Sequence, residues 1–520
     1  MLTTSSEPVH HNAGGLADRH AGTALGEKIA YLAADGVLTY NELREKANRA
    51  GNLLRSLGVG REERVLLVLD DTTTFPVTFL GALRIGAVPV PVSPLDREEN
   101  FRHYADDSYA RVVVTDPAVL PRLREALAGH DISFLVRGSE AEAVYDFDAG
   151  LAAQEGELDL ARTHRDDMAF WLYSSGSTGK PKGVVHLHHD IEVTCRSYGE
   201  ALLGLREEDV TFSTTKLFHA YGLGNGLSFP LWAGATAVLM SGPTKPGPIL
   251  DTLSESRPTV FFSVPALYAA LLREQPAAVA AALGSVRACV SAAEALPAAT
   301  LGEWEARFGL SILDGIGSTE MLHIFCSNAP DEVTPGTSGR PVPGYELRLV
   351  DDTGAVVEGA GSGGLEVRGD SCAAFYWHQH EKTKSCMRGD WYATGDLYER
   401  SAKGLYSHLG RSDDMFKIGG LWVSPTDMET VLADHPEVAA VGVVCVSVDG
   451  ASRIAAYVEA EAGATASEEE LGEALRAWCK ERMRRYEYPH VVRVVDSLPR
   501  TLTGKVQRFK LREMADGAAG

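Results

Sequence analysis

From residue 39 to residue 314 the chain alternates between short apolar runs and longer stretches whose apolar residues return every three or four positions. The first such stretch opens at Thr39-Tyr40-Asn41-Glu42, where Thr39 and Glu42 stand at capping-box spacing. Leu43, Ala47, Ala50, Leu54 and Leu57 continue one apolar helical face until Gly58 stops it. Residues 64–69, 87–92, 111–114 and 132–136 predict strands. Pro89 and Pro91 put the second of these at a sheet edge, because proline donates no ladder hydrogen bond. Met168-Ala169-Phe170-Trp171-Leu172 predicts a further, buried strand, and residues 236–240, 259–263, 288–291 and 311–314 repeat the alternation. Strands separated by helical stretches imply right-handed β-α-β connections, here in two doubly wound, mostly parallel units.

The pattern changes near residue 336. Up to about residue 407, short strands such as 346–350 and 364–368 are separated by glycine turns, which predicts a small antiparallel barrel or sheet. Gly410-Arg411-Ser412-Asp413-Asp414 is polar and turn-prone, and divides the chain into an N-terminal domain of residues 1–412 and a C-terminal domain of residues 413–520. The latter is α+β. Its helix opens at Ser424-Pro425, strands follow at 438–446 and 453–458, a charged helix runs from 466 to 485, and a glycine-containing loop occupies 499–505. Residues 1–27 read as a loosely held leader.

Composition narrows the class. A length of 520 residues, 45% hydrophobic and 23% charged, suits a globular chain of about three folding units. The net charge of −22 provides no positive field for nucleic acid. Seven dispersed cysteines, with no Cys-x-x-Cys pair, point to free thiols in a reducing compartment. Residues 1–20 lack a basic start followed by an apolar core, and no apolar run approaches the roughly 20 residues of a membrane helix. These features predict a cytoplasmic protein without nucleic-acid or membrane partners.

The densest candidate chemistry follows the strand at 168–172. Tyr173-Ser174-Ser175-Gly176-Ser177-Thr178-Gly179-Lys180-Pro181-Lys182-Gly183 combines three glycines, four serine or threonine hydroxyls and two lysines. Such a loop is either an anion cradle or a solvated turn. It is not a Walker A loop, since only two residues separate Gly176 from Gly179-Lys180. Asp314-Gly315-Ile316-Gly317-Ser318-Thr319-Glu320 follows another strand, at the end where open α/β sheets bind ligands. Tyr392-Ala393-Thr394-Gly395-Asp396 and Arg411 offer a carboxylate and a guanidinium near the domain boundary, and Lys505 ends the 499–505 loop. His186, His188 and His189 predict no metal site, since a strand would spread them over both faces. Cys326, Cys372 and Cys386 read as incidental thiols, and no Gly-x-Ser-x-Gly elbow occurs.

In this order the motifs resemble the adenylate-forming superfamily of acyl-CoA and aryl-CoA ligases, peptide-synthetase adenylation domains and luciferases. The resemblance runs from Leu38 to Lys505. It implies a large N-terminal adenylation core of two doubly wound sheets plus a small β-barrel, and a small mobile C-terminal domain. It also implies ATP, Mg²⁺ and coenzyme A as cofactors or substrates. Ser174, Ser175, Gly176, Ser177, Thr178, Gly179 and Lys182 would bind the ATP phosphates, with Thr178 and Glu320 near Mg²⁺. Ala292, Ala293, Glu294, Asp314 and Gly315, with Ser318 and Thr319, would line the AMP site, and Asp396 and Arg411 would hold the ribose. Asp413 would be the hinge. Lys505 would bridge the acid's carboxylate and the α-phosphate.

Within the superfamily, Phe170–Gly176, Lys216–Asn225 and Gly315–Ile324 are most similar to benzoate-CoA ligases. That similarity implies an aryl-acid pocket walled by Ala220, Tyr221, Gly222, Gly317, His323 and Ile324. The glycines 222, 224 and 226 would leave a slot for a flat ring. His219 stands where benzoate ligases often have Phe, which leaves room for a hydroxylated or aminated ring. Alternatively His219 gates a CoA channel that Gly419 and Gly420 would help to line. The expected partners are a small aromatic carboxylic acid, ATP and CoA. An acyl carrier protein is the alternative thiol acceptor, since both thiols end in phosphopantetheine. The basic run 480–485 is either a solvated helix face or a contact for CoA phosphates.

Overall fold

The alternation between residues 39 and 314 is present in the computed structural model, which describes residues 10–138, 144–175, 180–411, 416–418, 421–423, 425–448, 451–461, 467–483, 488–500 and 506–517. Two units divide the chain. One comprises Met1–Leu347 and Val367–Ala393, the other Arg348–Glu366 and Thr394–Gly520.

In the first unit, a five-stranded parallel sheet has the order Val88–Pro91, Arg64–Val68, Val112–Thr115, Ser133–Val136, Tyr145–Asp146. The Pro-containing strand is at its edge, as the missing N–H groups require. A nine-stranded sheet has a parallel centre, Ile312–Gly317, Ala288–Ser291, Val260–Ser263, Val210–Ser213 and Thr236–Leu239. Ile29–Ala33 and Gly36–Thr39 extend it on one side, and Ile324–Ser327 and Arg340–Pro341 on the other. Phe212, Phe261, Tyr268, Trp304 and Ile312 fill one core cluster against this sheet. Met168–Ser175 does not join either sheet. It folds back on Pro181–Leu187 as an antiparallel hairpin, whose Trp171 and Val185 pack against Leu66, Val68 and Val113 of the five-stranded sheet.

The Tyr40–Ser56 helix carries the expected capping box: Glu42 N donates to Thr39 Oγ1 at 3.2 Å, and Thr39 N to Glu42 Oε2 at 2.8 Å. The leader departs from expectation. Ala13–Asp18 is a 3-10 turn with Ala13, Gly14, Leu16 and Ala17 buried. Its anchor is Arg84, which is itself buried and donates to Gly14 O at 3.0 Å, Asp18 Oδ2 at 2.9 Å and Asn48 Oδ1 at 2.7 Å. A buried guanidinium must find acceptors, and the leader supplies two of them.

In the second unit, residues 396–400 pair antiparallel with Tyr406–Arg411. Further on, Val438–Val448, Ala451–Ala460 and Val491–Val494 form a three-stranded sheet. Val443, Ile454, Val458, Leu475 and Cys479 make a core with the Pro425–Ala433 and Glu468–Arg482 helices. Among the described residues no helix is long and apolar enough to cross a membrane.

Candidate functional site

The 168–187 hairpin presents its loop by register: Ser174 faces Lys182 and Ser175 faces Pro181. The tip residues Gly176, Ser177, Thr178 and Gly179 lie outside the described residues. Both stems are gripped by one helix, Glu98–Ser108. Its Asp107 accepts from Tyr173 OH at 2.7 Å, and its His103 Nε2 donates to the Pro181 carbonyl at 2.8 Å. Trp377 Nε1 adds a third tie, donating to Asp107 O at 2.8 Å.

Glu320 is brought directly to this hairpin. Lys182 Nζ is 3.0 Å from Glu320 Oε1, and Tyr376 OH donates to the same oxygen at 2.8 Å. Lys182 also stands 4.0 Å above the Tyr376 ring. Burial alone would raise the Glu320 carboxyl, but the Lys182 charge and the Tyr376 and Lys182 hydrogen bonds outweigh it and hold it below the usual range. Glu320 is therefore ionised and already oriented.

Six residues upstream, Asp314 is register partner of Ser291 across parallel strands. Its Oδ1 and the Ser291 hydroxyl are buried without hydrogen-bond partners among the described residues. Burial pushes the Asp314 carboxyl up to about 8. Beside Ser291, Ala292 is buried and Ala293 adopts a left-handed φ of 79°, while Glu294 belongs to the same loop. Gly315 and Gly317 run where the chain doubles back on Ile324–Ser327. A Cβ on Gly317 would come within 2.5 Å of the His323 carbonyl.

His323 is the centre of an aromatic cage. Its ring lies 4.5 Å from Phe229, 4.9 Å from Tyr198 and 5.4 Å from Tyr221. Asn225 Oδ1 is 3.1 Å from His323 Nε2. Burial lowers His323 to about 3, so the imidazole is neutral. The glycines expected to open a slot serve different ends. A Cβ on Gly224 would lie 2.4 Å from His323 Cδ2, one on Gly222 would lie 2.1 Å from the Lys216 carbonyl, and one on Gly226 would meet Leu217. Only Gly224 makes room for the cage. Ala220 and Ile324 are buried, and His219 caps the short Ala220–Leu223 helix with its ring 4.6 Å from Phe218.

The second unit holds its own pair. Asp396 and Arg411 are register partners, with Arg411 Nη1 3.1 Å from Asp396 Oδ1 and His408 Nε2 3.6 Å from the same oxygen. Burial would raise the Asp396 carboxyl, but the nearby His408 and the Arg411 charge lower it. Asp413, Gly419, Gly420 and Lys505 lie outside the described residues. Flanking the last, Arg500 and Val506 pair in an antiparallel bridge, and Gln507 N donates to Pro499 O at 2.7 Å.

Among the described residues no cluster of three or more His, Cys, Asp or Glu gathers to hold a metal. Sequence reasoning missed Tyr376, Asn225, Tyr198, Phe229, His103 and Asp107, each distant in the chain from the group it touches. Only Asn225 stood inside a string that had drawn attention.

Comparison with known proteins agrees across the chain. The model of the AMP-binding enzyme family matches residues 18–377, and that of the AMP-binding enzyme C-terminal domain matches residues 427–505. Benzoate–CoA ligase of Thauera aromatica is 43% identical over 97% of this chain and 96% of its own. The 4-hydroxybenzoate–CoA/benzoate–CoA ligase of Rhodopseudomonas palustris is 40% identical over 96% and 93%. The crystal structure of the anthranilate CoA ligase AuaEII in complex with anthranoyl-AMP superposes with a TM-score of 0.91 at 37% identity, covering 100% of both chains. With nearly every residue inside these matches, the chain belongs to the AMP-binding enzyme family, beside its benzoate-CoA and related aryl-CoA ligases.

Proposed function

We propose that the protein is an ATP-dependent aryl-CoA ligase of the benzoate and hydroxy- or amino-benzoate class. The carrying observation is that an ionised, oriented carboxylate, Glu320, stands three residues from a neutral histidine caged by Tyr198, Tyr221 and Phe229. Charge-handling and ring-binding chemistry thus share one turn. In the first step, a carboxylate oxygen of the acid attacks the α-phosphorus of ATP and pyrophosphate leaves. In the second, the CoA thiol gives up its proton, its sulfur attacks the carbonyl carbon, and AMP leaves. Joining two anions requires cations and aligned N–H donors.

We assign the pyrophosphate end of ATP to the 174–182 loop and Lys182, the adenine to residues 292–294 with Asp314 and Gly315, and the ribose to Asp396 and Arg411. The unpartnered Oδ1 of Asp314 and hydroxyl of Ser291 suit an adenine edge that offers both a donor and acceptors. Glu320 fits Mg²⁺, which takes few protein carboxylates beside phosphate oxygens; Thr178 would be its neighbour, and Lys182 would share the carboxylate. Mg²⁺ bound there would offset phosphate charge. Lys505 is assigned to adenylation, on a domain of residues 413–520 that turns about Asp413 so that the thiol can enter. His219, Gly419 and Gly420 are assigned to the thiol's path. The two curated relatives described above, at 43% and 40% identity, are named as CoA ligases, which favours CoA over a carrier-protein thiol.

ATP–pyrophosphate exchange with a panel of carboxylic acids tests the reading. Benzoate and its hydroxy and amino derivatives should support exchange, and CoA should then accept the acyl group. A preference for fatty acids or amino acids would overturn the aryl assignment.

A further inference from the structure

We propose that His186 is a positioning residue, which holds the Thr319 carbonyl and so fixes the peptide that aims Glu320. The inference rests on the reading of Glu320 as an ATP-site carboxylate. His186 lies on the Pro181–Leu187 strand, fully buried, with its ring 5.2 Å from Phe170 and inclined by only 18°. Its Nε2 is 2.8 Å from Thr319 O and its Nδ1 is 2.7 Å from Asp190 Oδ2. A carbonyl oxygen only accepts, so Nε2 carries a hydrogen and donates it. Asp190, also fully buried, is held in turn by the Leu187 N–H at 3.0 Å. A chain of bonds therefore runs from the hairpin backbone through Asp190 and His186 to the Thr319–Glu320 peptide.

The same strand reaches Glu320 a second time. Lys182 and His186 are four residues apart, and side chains at even spacing share one face of a strand. Lys182 takes the carboxylate of Glu320 while His186 takes the carbonyl one residue before it. Ala373 N completes the grip by donating to Glu320 O at 2.7 Å. With the backbone and the side-chain end both held, the carboxylate has little freedom left. Neither a carbonyl nor a buried carboxylate can be left unpartnered without cost, so the His186–Asp190 pair lends rigidity where the reaction needs it.

Two substitutions separate positioning from plain support. The amide nitrogen of His186→Gln reaches where Nε2 stood and keeps a donor on Thr319. His186→Asn reaches only where Nδ1 stood, keeping Asp190 company but releasing Thr319. A misplacement of about 1 Å at the reacting groups can cost about a hundredfold. In ATP–pyrophosphate exchange the Asn variant should lose about tenfold or more in kcat with little change in KM, while the Gln variant stays within about threefold of wild type. Asp190→Asn, which retains the Nε2–H donor, should also stay within about threefold. Equal losses in His186→Asn and His186→Gln, a loss confined to KM, or an Asp190→Asn loss as large as that of His186→Asn would each overturn the proposal. The ratios are read with whichever acid the wild type activates, so they do not depend on the aryl assignment.

Discussion

Glu320 and Asp396 are both buried carboxylates paired with a cation, yet their cations differ in freedom. The side chain of Lys182 is 14% exposed and reaches Glu320 from a hairpin 138 residues earlier in the chain. That of Arg411 is 49% exposed and reaches Asp396 from the neighbouring strand. The first pair is sealed by tertiary structure, with Tyr376 on the same oxygen. The second is half-open, its guanidinium turned partly to solvent. A sealed pair suits a group that must not move during phosphoryl chemistry, and an open one suits a group that meets its ligand from solution. Buried charges that lose a partner are costly, whereas exposed ones lose little.

The largest expected effect lies outside both pairs. Lys505→Ala should reduce ATP–pyrophosphate exchange by roughly a hundredfold or more while sparing thioester formation from supplied aryl-AMP, since the role proposed for Lys505 is that of a cation used in the first step alone. Equal loss in the two half-reactions would end the idea that the second unit delivers that cation only for adenylation. Next, Glu320→Gln should cost about 3 kcal/mol in chemical denaturation, since it strands a nearly buried Lys182, and should lower exchange by about a hundredfold. Stability unchanged within error would show that the pair is not sealed after all.

Asp314 offers a pH test of burial in the ligand-free protein. Its folded value is about 8, against about 3.9 for an unfolded aspartate. Between those values the folded state keeps a proton that the unfolded state has released. Stability therefore falls as pH rises, by at most about 1.4 kcal/mol per pH unit. Asp314→Asn has no such proton, so denaturation at pH 5 and pH 8 should show the wild type losing ground to the variant at the higher pH. The smallest effect belongs to Arg411→Ala, expected to change stability by less than about 1 kcal/mol because solvent already screens the pair. A loss as large as that of Glu320→Gln would erase the contrast.

The alternating strands between residues 64 and 314 were legible because apolar runs of four to six residues and their glycine punctuation are local signals. So was the Tyr40–Ser56 helix, whose cap is spelled out by Thr39 and Glu42. The anchoring of the leader was not, since nothing near Ala13 announces that Arg84 will need its backbone. The site divided in the same way. Glu320, Asp396 and their motifs could be named in advance, but Tyr376 on Glu320 and the Asp107 tie to Tyr173 depend on contacts across 56 and 66 residues. The role of the glycines was half legible. Their number promised space, and only coordinates distinguish Gly224, which faces His323, from Gly222, which faces a carbonyl.

That distinction reaches into how such a protein can diverge. A methyl group at position 224 would sit 2.4 Å from the ring at position 323, far inside contact distance, and the ring is hemmed in by Phe229 and Tyr198. Position 224 is therefore tied to 323: a larger residue at 224 is admissible only after 323 has become smaller. Libraries that vary position 224 alone will find it closed to larger residues, while libraries that pair 224 with 323 can reshape the cage.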